Sequence, residues 1–85
     1  MIDDFIESIQ SVNEEATFPL DMKSAIIGSV DRAGGSTLFL IDREKCLNIL
    51  MTRGNMTYDE AIDFFDVNII GSWVGEGTPC YCDSI

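Results

Sequence analysis

The sequence predicts an α+β fold with four short helices and a two-stranded sheet, in the order α-α-β-α-α-β. Three observations support it. Apolar residues recur at helical spacing in four segments, a six-residue apolar run follows a double glycine, and a second short segment suited to a strand lies near residue 80. With 85 residues, 46% of them hydrophobic, the chain is predicted to form one small domain over residues 1–85.

The first helix is predicted from apolar residues that recur every three or four positions: Ile2, Phe5, Ile6, Ile9 and Val12. Acidic residues occupy its other sides and the segment that follows: Asp3, Asp4, Glu7, Glu14 and Glu15. These carboxylates are interpreted as a solvated face. If this helix were a neighbour of the fourth, the charges of both would merge into one negative surface. Pro19 is expected to end the segment.

A second helix is predicted over residues 22–33, with Asp21 as its N-cap and the double glycine Gly34-Gly35 as its end. Residues 36–41 then form an apolar run of strand length. Residues 78–83 are predicted to form the second strand and to pair with the first. Two strands alone are marginal, so they need helices that cover them or a third strand from another subunit.

Asp42 is predicted to cap a third helix, Arg43–Arg53, which ends at Gly54. Thr57 and Glu60 have the spacing of a capping box and begin the fourth helix. One apolar stripe follows: Tyr58, Ala61, Ile62, Phe65 and Ile69. Gly71 is expected to end this helix in the left-handed region, and residues 75–77 are expected to form a turn.

The fourth helix carries residues that the stripe does not explain. Asp59, Asp63 and Asp66 lie on a different face, and Phe64 and Val67 lie outside the main stripe. The favoured interpretation is a helix packed between two neighbours. The alternative is that Phe64 and Val67 contact a partner chain.

The run EAIDFFDVNIIGSWVGEGTP, with the preceding MTRGNMTYD and the earlier IDREKC, resembles a family of small proteins found in phage and prophage genomes. Members share the pattern EAxxFFxxNxxGxWVGExTP, and the resemblance covers roughly the C-terminal half. It implies a phage-type origin. It implies no particular activity, cofactor or catalytic residue.

Charge excludes some partners and favours others. Five basic and fifteen acidic residues give a net charge of −10. Direct binding to nucleic acid or to an anionic membrane is disfavoured, because both require basic side chains on the protein. A host protein with a basic surface is the natural complement, although ordinary solubility is the simpler explanation of the charge. An acidic N-terminal segment, an odd number of cysteines and the lack of a long apolar stretch predict a cytoplasmic protein.

The residue types in the chain give little support for a catalytic or metal-binding role. The chain has no histidine, which is the commonest general base. Cys80 and Cys82 would share a face of a strand, and Cys46 could join them, but structural zinc sites normally space their ligands differently. We therefore predict neither an enzyme nor a cofactor. Trp73 is interpreted as a core residue or a binding anchor.

The sequence thus predicts a non-enzymatic protein that binds and inhibits a host protein, for example an anti-defence inhibitor similar in action to an anti-CRISPR protein. It would mask a basic surface that normally holds nucleic acid. The predicted partner-binding residues are Glu7, Glu14, Asp59, Asp63, Phe64, Asp66, Val67 and Trp73. The alternative is a self-associating structural or accessory module, such as a homodimer, whose carboxylates only keep it soluble.

Overall fold

The computed structural model describes residues 1–72 and 75–83, and it confirms an α+β fold. The elements in chain order are helix α1 (Ile2–Val12), a 3₁₀-helix (Leu20–Ala25), strands β1 (Ile26–Asp31) and β2 (Thr37–Asp42), helices α2 (Arg43–Arg53) and α3 (Tyr58–Phe64), a π-helix (Phe65–Ile70) and strand β3 (Cys80–Cys82). None of the helices in these ranges has both the length and the apolar composition needed to cross a bilayer.

The described residues form a sheet of three strands in the order β1-β2-β3, one more than predicted. Strand β2 is central: it pairs antiparallel with β1 and parallel with β3. Leu40 lies opposite Cys80, so the predicted pairing between the 36–41 run and the later strand is confirmed. The prediction of only two strands is wrong, because β1 was assigned to a helix.

The prediction of a helix over residues 22–33 is therefore wrong. A 3₁₀-helix takes only its first part, and residues from Ile26 onward form β1. Ile26 and Ile27 are β-branched and Gly28 is a poor helix former, so local propensity offers little resistance to a strand. The double glycine closes a hairpin, since Gly34 has φ +68 and the Gly35 N–H donates to the Arg32 carbonyl at 2.8 Å.

The hydrophobic core lies on one face of the sheet, beneath the helices. Phe39 and Ile41 of β2 are fully buried and belong to the same cluster as Leu47 of α2 and Phe65 of the π-helix. Aromatic rings pack edge-to-face around them. The ring of Phe18 meets the ring of Phe39 at a centroid distance of 5.2 Å, and Phe65 and Tyr81 meet at 5.5 Å.

Two predicted helix starts are confirmed atom by atom. The Asp42 carboxylate accepts the Lys45 N–H at 3.3 Å, and α2 has the predicted bounds. Ahead of α3, the Thr57 hydroxyl accepts the Glu60 N–H at 3.2 Å, and the Glu60 carboxylate accepts the Thr57 N–H at 2.8 Å. Each exchange satisfies amides that a helix cannot pair internally.

The end of the fourth helical segment differs from the prediction. After Phe64 the helix widens into six π-helical residues, and Gly71 ends it with φ −74 rather than in the left-handed region. The predicted turn over residues 75–77 is confirmed: Gly75 has φ +105, and the Thr78 N–H donates to the Gly75 carbonyl at 3.1 Å. The π-helix, which sequence patterns did not indicate, is of a kind often found at functional sites.

Candidate functional site

The inner side of the α3 and π-helix segment follows the predicted stripe except at its start. Ala61, Phe65 and Ile69 are buried, and Ile62 is partly buried. Tyr58 is about half exposed, contrary to the stripe, and its hydroxyl lies 3.4 Å from a Glu44 carboxylate oxygen. The stripe therefore attaches this segment to the core through its middle and its end.

The outer side of the same segment is apolar and uncovered. The side chain of Phe64 is 38% exposed and that of Val67 is 73% exposed, and Ile70 is also exposed. In the single chain, the favoured prediction of a helix packed between two neighbours is therefore wrong. Single exposed apolar residues are ordinary on protein surfaces, but Phe64 and Val67 line one concavity together.

That concavity is one part of a longer depression, which we call the helix groove. It comprises three adjoining hollows with volumes of about 520, 370 and 420 Å³, and neighbouring hollows share lining residues. Its apolar lining is Phe18, Pro19, Met22, Ile49, Leu50, Met56, Phe64, Val67, Ile69, Pro79 and Tyr81. The first two hollows lie between the α3 and π-helix segment and residues 15–22, and the third lies along α3 and the π-helix beside Met56.

One wall of the groove is held in place by a close backbone contact. The Thr17 N–H donates to the Gly77 carbonyl at 3.1 Å. Gly77 is buried, and a Cβ atom at this position would collide with the carbonyl oxygen of Glu15. Only glycine lets the two backbones approach so closely. The glycines of the 75–77 turn therefore position the loop that faces the helix.

Carboxylates surround the apolar lining. Glu15, Asp21, Glu60 and Asp63 line the groove, and we call these four residues the acidic rim. Among the groove-lining residues that the structure describes, Arg53 is the one basic side chain. Glu60 already serves the capping box.

Asp63 and the nearby Asp59 are both exposed, and neither forms an ion pair within residues 1–72 and 75–83. Asp59 lies in the first turn of α3, where negative charge is favoured by the helix dipole. These two carboxylates are therefore available to a partner.

Asp66 has a different role from the other two aspartates predicted with it. Its carboxylate lies 3.7 Å from the guanidinium of Arg43, which also lies 3.8 Å from the carboxylate of Asp83. The same guanidinium stands over the ring of Phe65 at 5.5 Å from its centroid. These groups line a separate hollow of about 290 Å³. Asp66 thus helps to attach the π-helix to α2 and β3.

Glu7 of α1 and Glu14, which follows α1, do not line the groove. Glu7 and Glu14 are exposed, but α1 packs mainly on β2, whereas α3 packs on α2. The two helices do not pack extensively on each other, so the condition for a merged negative surface is not met. Asp3 is paired with Lys23. Trp73, predicted as a core residue or an anchor, lies outside the described residues.

The cysteines divide between the two sides of the sheet. Cys46 is buried beside Tyr81, which lies on the core side. Cys80 and Cys82 alternate with Tyr81 along β3 and therefore belong to the other side. No group of three potential metal ligands is found in the described part of the chain.

Burial determines the protonation of the core thiol and phenol. Desolvation, with a smaller contribution from the charge of Asp42, raises the pKa of Cys46 to about 11. Desolvation, with a contribution from Cys46, raises the pKa of Tyr81 to about 12. Both groups remain protonated at neutral pH, so Cys46 is not an activated nucleophile.

Residues 15–22 and Met56 are the part of the site that sequence patterns missed. Pro19 was interpreted only as the end of a helical segment, and Phe18 and Met56 were not identified. Because they come from non-periodic segments, hydrophobic periodicity could not identify them. Comparisons with protein-family models, with curated proteins and with solved structures find no match to this chain.

Proposed function

We propose that this is a small, acidic, non-enzymatic, phage-type protein that binds and inhibits a host protein in the host cytosol. The helix groove and the acidic rim form the contact surface. The target would be a protein with a basic surface that normally holds nucleic acid, as in an anti-defence inhibitor. The observation that supports this proposal is the exposure of Phe64 and Val67 directly beside the exposed carboxylate of Asp63.

The two kinds of residue would make different contributions to binding. Apolar anchors in a pocket supply most of the affinity of a protein interface. Complementary charges raise the association rate and exclude wrong partners. An acidic rim around an apolar groove therefore selects a partner that offers basic residues around an apolar one. A net charge of −10 attracts a basic surface and so favours its encounter with this protein.

Self-association is the second candidate, and the same exposed side chains favour it. Phe64, Val67 and Ile70 form an uncovered apolar edge that a second copy could bury. Like charges weigh against this alternative, because two rims brought together would place carboxylates opposite carboxylates. The oligomeric state in solution distinguishes the two candidates.

The test is an affinity pull-down from nuclease-treated bacterial lysate, with bound proteins identified by mass spectrometry. The test variant carries Asp59→Lys and Asp63→Lys. The matched control carries Asp4→Lys and Glu7→Lys on α1, which change the net charge equally on another surface. Asp66 is left unchanged, because a lysine there would repel Arg43 and disturb the fold.

We expect the native protein and the α1 control to retain one basic, nucleic-acid-handling protein that the α3 variant loses. Retention by the α3 variant would refute the electrostatic mechanism. Recovery of this protein alone, together with a dimeric mass by light scattering, would favour the self-associating module.

A further inference from the structure

We infer that the occupant of the helix groove is a short amphipathic α-helix of the partner, with basic residues flanking its apolar face. This inference rests on the proposed function and specifies the binding mode at the same site. It follows from three features of the groove: the secondary structure of its walls, its length, and the charge of its rim.

The walls of the groove favour a helix over an extended peptide. They are formed by α2, α3, the π-helix and the segment of residues 15–22, and β3 reaches only one end through Tyr81. Helical backbones use their own amides and carbonyls, so an extended peptide would find few backbone partners along them. Its own polar groups would then lose water without compensation. A helix satisfies its backbone internally and presents only side chains.

The length of the groove sets the length of the occupant. Its lining on the helical side runs from Met56 to Ser72. The seven residues of α3 span about 10 Å at the rise of an α-helix, and the six π-helical residues extend this length further. A partner helix of three to four turns has about the same length. Such a helix presents apolar residues three and four positions apart, which matches three adjoining hollows rather than a single deep pocket.

The rim specifies the charge of the occupant. Among the described residues, the lining carries four carboxylates, those of Glu15, Asp21, Glu60 and Asp63, and one guanidinium, that of Arg53. Lysine or arginine beside the apolar face of the incoming helix would complement them. Met22 and Met56 also line the groove, and methionine adapts its shape to different apolar side chains. The groove thus has an adaptable lining and a fixed charge preference.

The test uses two synthetic peptides of leucine and lysine, each about 14 residues long. One places leucine at helical spacing, and the other has the same composition with leucine and lysine alternating. Binding is measured by fluorescence anisotropy at low and at physiological salt. Amide chemical shifts of the ¹⁵N-labelled protein locate the contact.

We expect the helical pattern to bind at least about tenfold more tightly than the alternating one, with shifts at Met56, Asp63 and Asn68. Phe64→Ala and Asp63→Lys should each weaken binding by about tenfold. Their matched controls, Val12→Ala and Glu7→Lys on α1, should leave it unchanged. Circular dichroism and urea unfolding confirm that all four variants are folded.

Equal binding of the two peptides, or equal losses in the α1 controls, would show non-specific attraction and overturn the inference. Capture of a host protein that depends on Asp59 and Asp63, combined with no binding of the helical peptide, would refute the helix inference and leave the proposed function intact. Peptide binding confined to the groove, with no host protein captured, would support the helix inference and refute the proposed function.

Discussion

The two acidic helical segments of this protein, α1 and the segment formed by α3 and the π-helix, differ in how their apolar and acidic residues are arranged. In α1 the best-buried side chain is Ile9, and Phe5 contacts Phe39 of the sheet. In the second segment, Phe64 and Val67 are exposed beside the exposed carboxylate of Asp63, and they line a groove. Both segments have the same sign of charge, so charge alone does not identify a contact surface. The combination of charge with exposed apolar area does.

The largest expected effect concerns the wall that faces the second segment. Gly77→Ala would place a Cβ atom against the Glu15 carbonyl, so the 75–77 turn and the 13–17 loop must separate. We expect a loss of about 4 kcal/mol or more in the free energy of unfolding, measured with urea. Gly28→Ala is the control, because a Cβ there meets no atom within 4 Å and replaces a flexible residue in a strand. It should be neutral or stabilising by up to about 1 kcal/mol. Similar losses in both variants would contradict the close contact.

The second prediction separates the two sides of the helical segment. Phe65→Ala removes a fully buried ring that contacts Tyr81 and Arg43, and should cost about 3–5 kcal/mol of stability. Phe64→Ala removes a partly exposed ring and should cost about 1 kcal/mol or less. Urea unfolding of both variants checks the difference. Comparable losses would mean that Phe64 is a core residue and that the groove is misassigned.

The third prediction tests the burial of Cys46 and Tyr81 through the pH dependence of stability. The raised pKa values of Cys46 and Tyr81, about 11 and about 12, exceed their ordinary values of 9.0 and 10.0. The unfolded chain therefore releases these protons at lower pH than the folded protein does. Their stabilising contribution is complete below pH 9 and is lost as the pH rises toward 12, by about 2 kcal/mol or more.

Urea midpoints measured between pH 8 and 12 under reducing conditions would show this loss. Tyr81→Phe removes the phenol, so the midpoint of this variant should fall less steeply above pH 10 than that of the native protein. Identical pH profiles for the two proteins would contradict the buried-phenol assignment.

The smallest effects distinguish the ion pairs of the two segments. Lys23→Ala removes an exposed pair with Asp3 of α1 and should change stability by about 0.5 kcal/mol or less. Arg43→Ala removes two ion pairs and a guanidinium stacked over Phe65, and should cost about 1–2 kcal/mol. Thermal unfolding at low and high salt checks both values. A larger loss of stability in the Lys23→Ala variant would mean that the acidic face of α1 contributes to the stability of the fold.

Local signals in the sequence predicted most of the helix boundaries. Asp42 and the pair Thr57 and Glu60 act through hydrogen bonds to residues three positions away, so their geometry is contained in short stretches of sequence. Residues 26–31 were assigned wrongly for the opposite reason. Their strand depends on pairing with β2, which is a tertiary interaction that overrides a weak helical pattern.

The candidate site was predictable only in part. The chemical type of Asp63, Phe64 and Val67 indicated a contact surface, and the structure brings these three together. The different role of Asp66 from that of Asp59 and Asp63 was not predictable, because its ion pair with Arg43 joins residues far apart in the chain. The opposite wall of the groove depends on a contact between Thr17 and Gly77, which no local pattern contains.

The edges of the sheet restrict how copies of this protein can aggregate. Strand β1 has a register irregularity between Ile26 and Gly28, and β3 extends over only three residues. Bulges and very short edge strands both prevent neighbouring molecules from adding strands to a sheet. At the high concentrations reached during overexpression, the protein should therefore resist growth into β-structured fibrils. Any assembly of copies must form through side-chain surfaces instead.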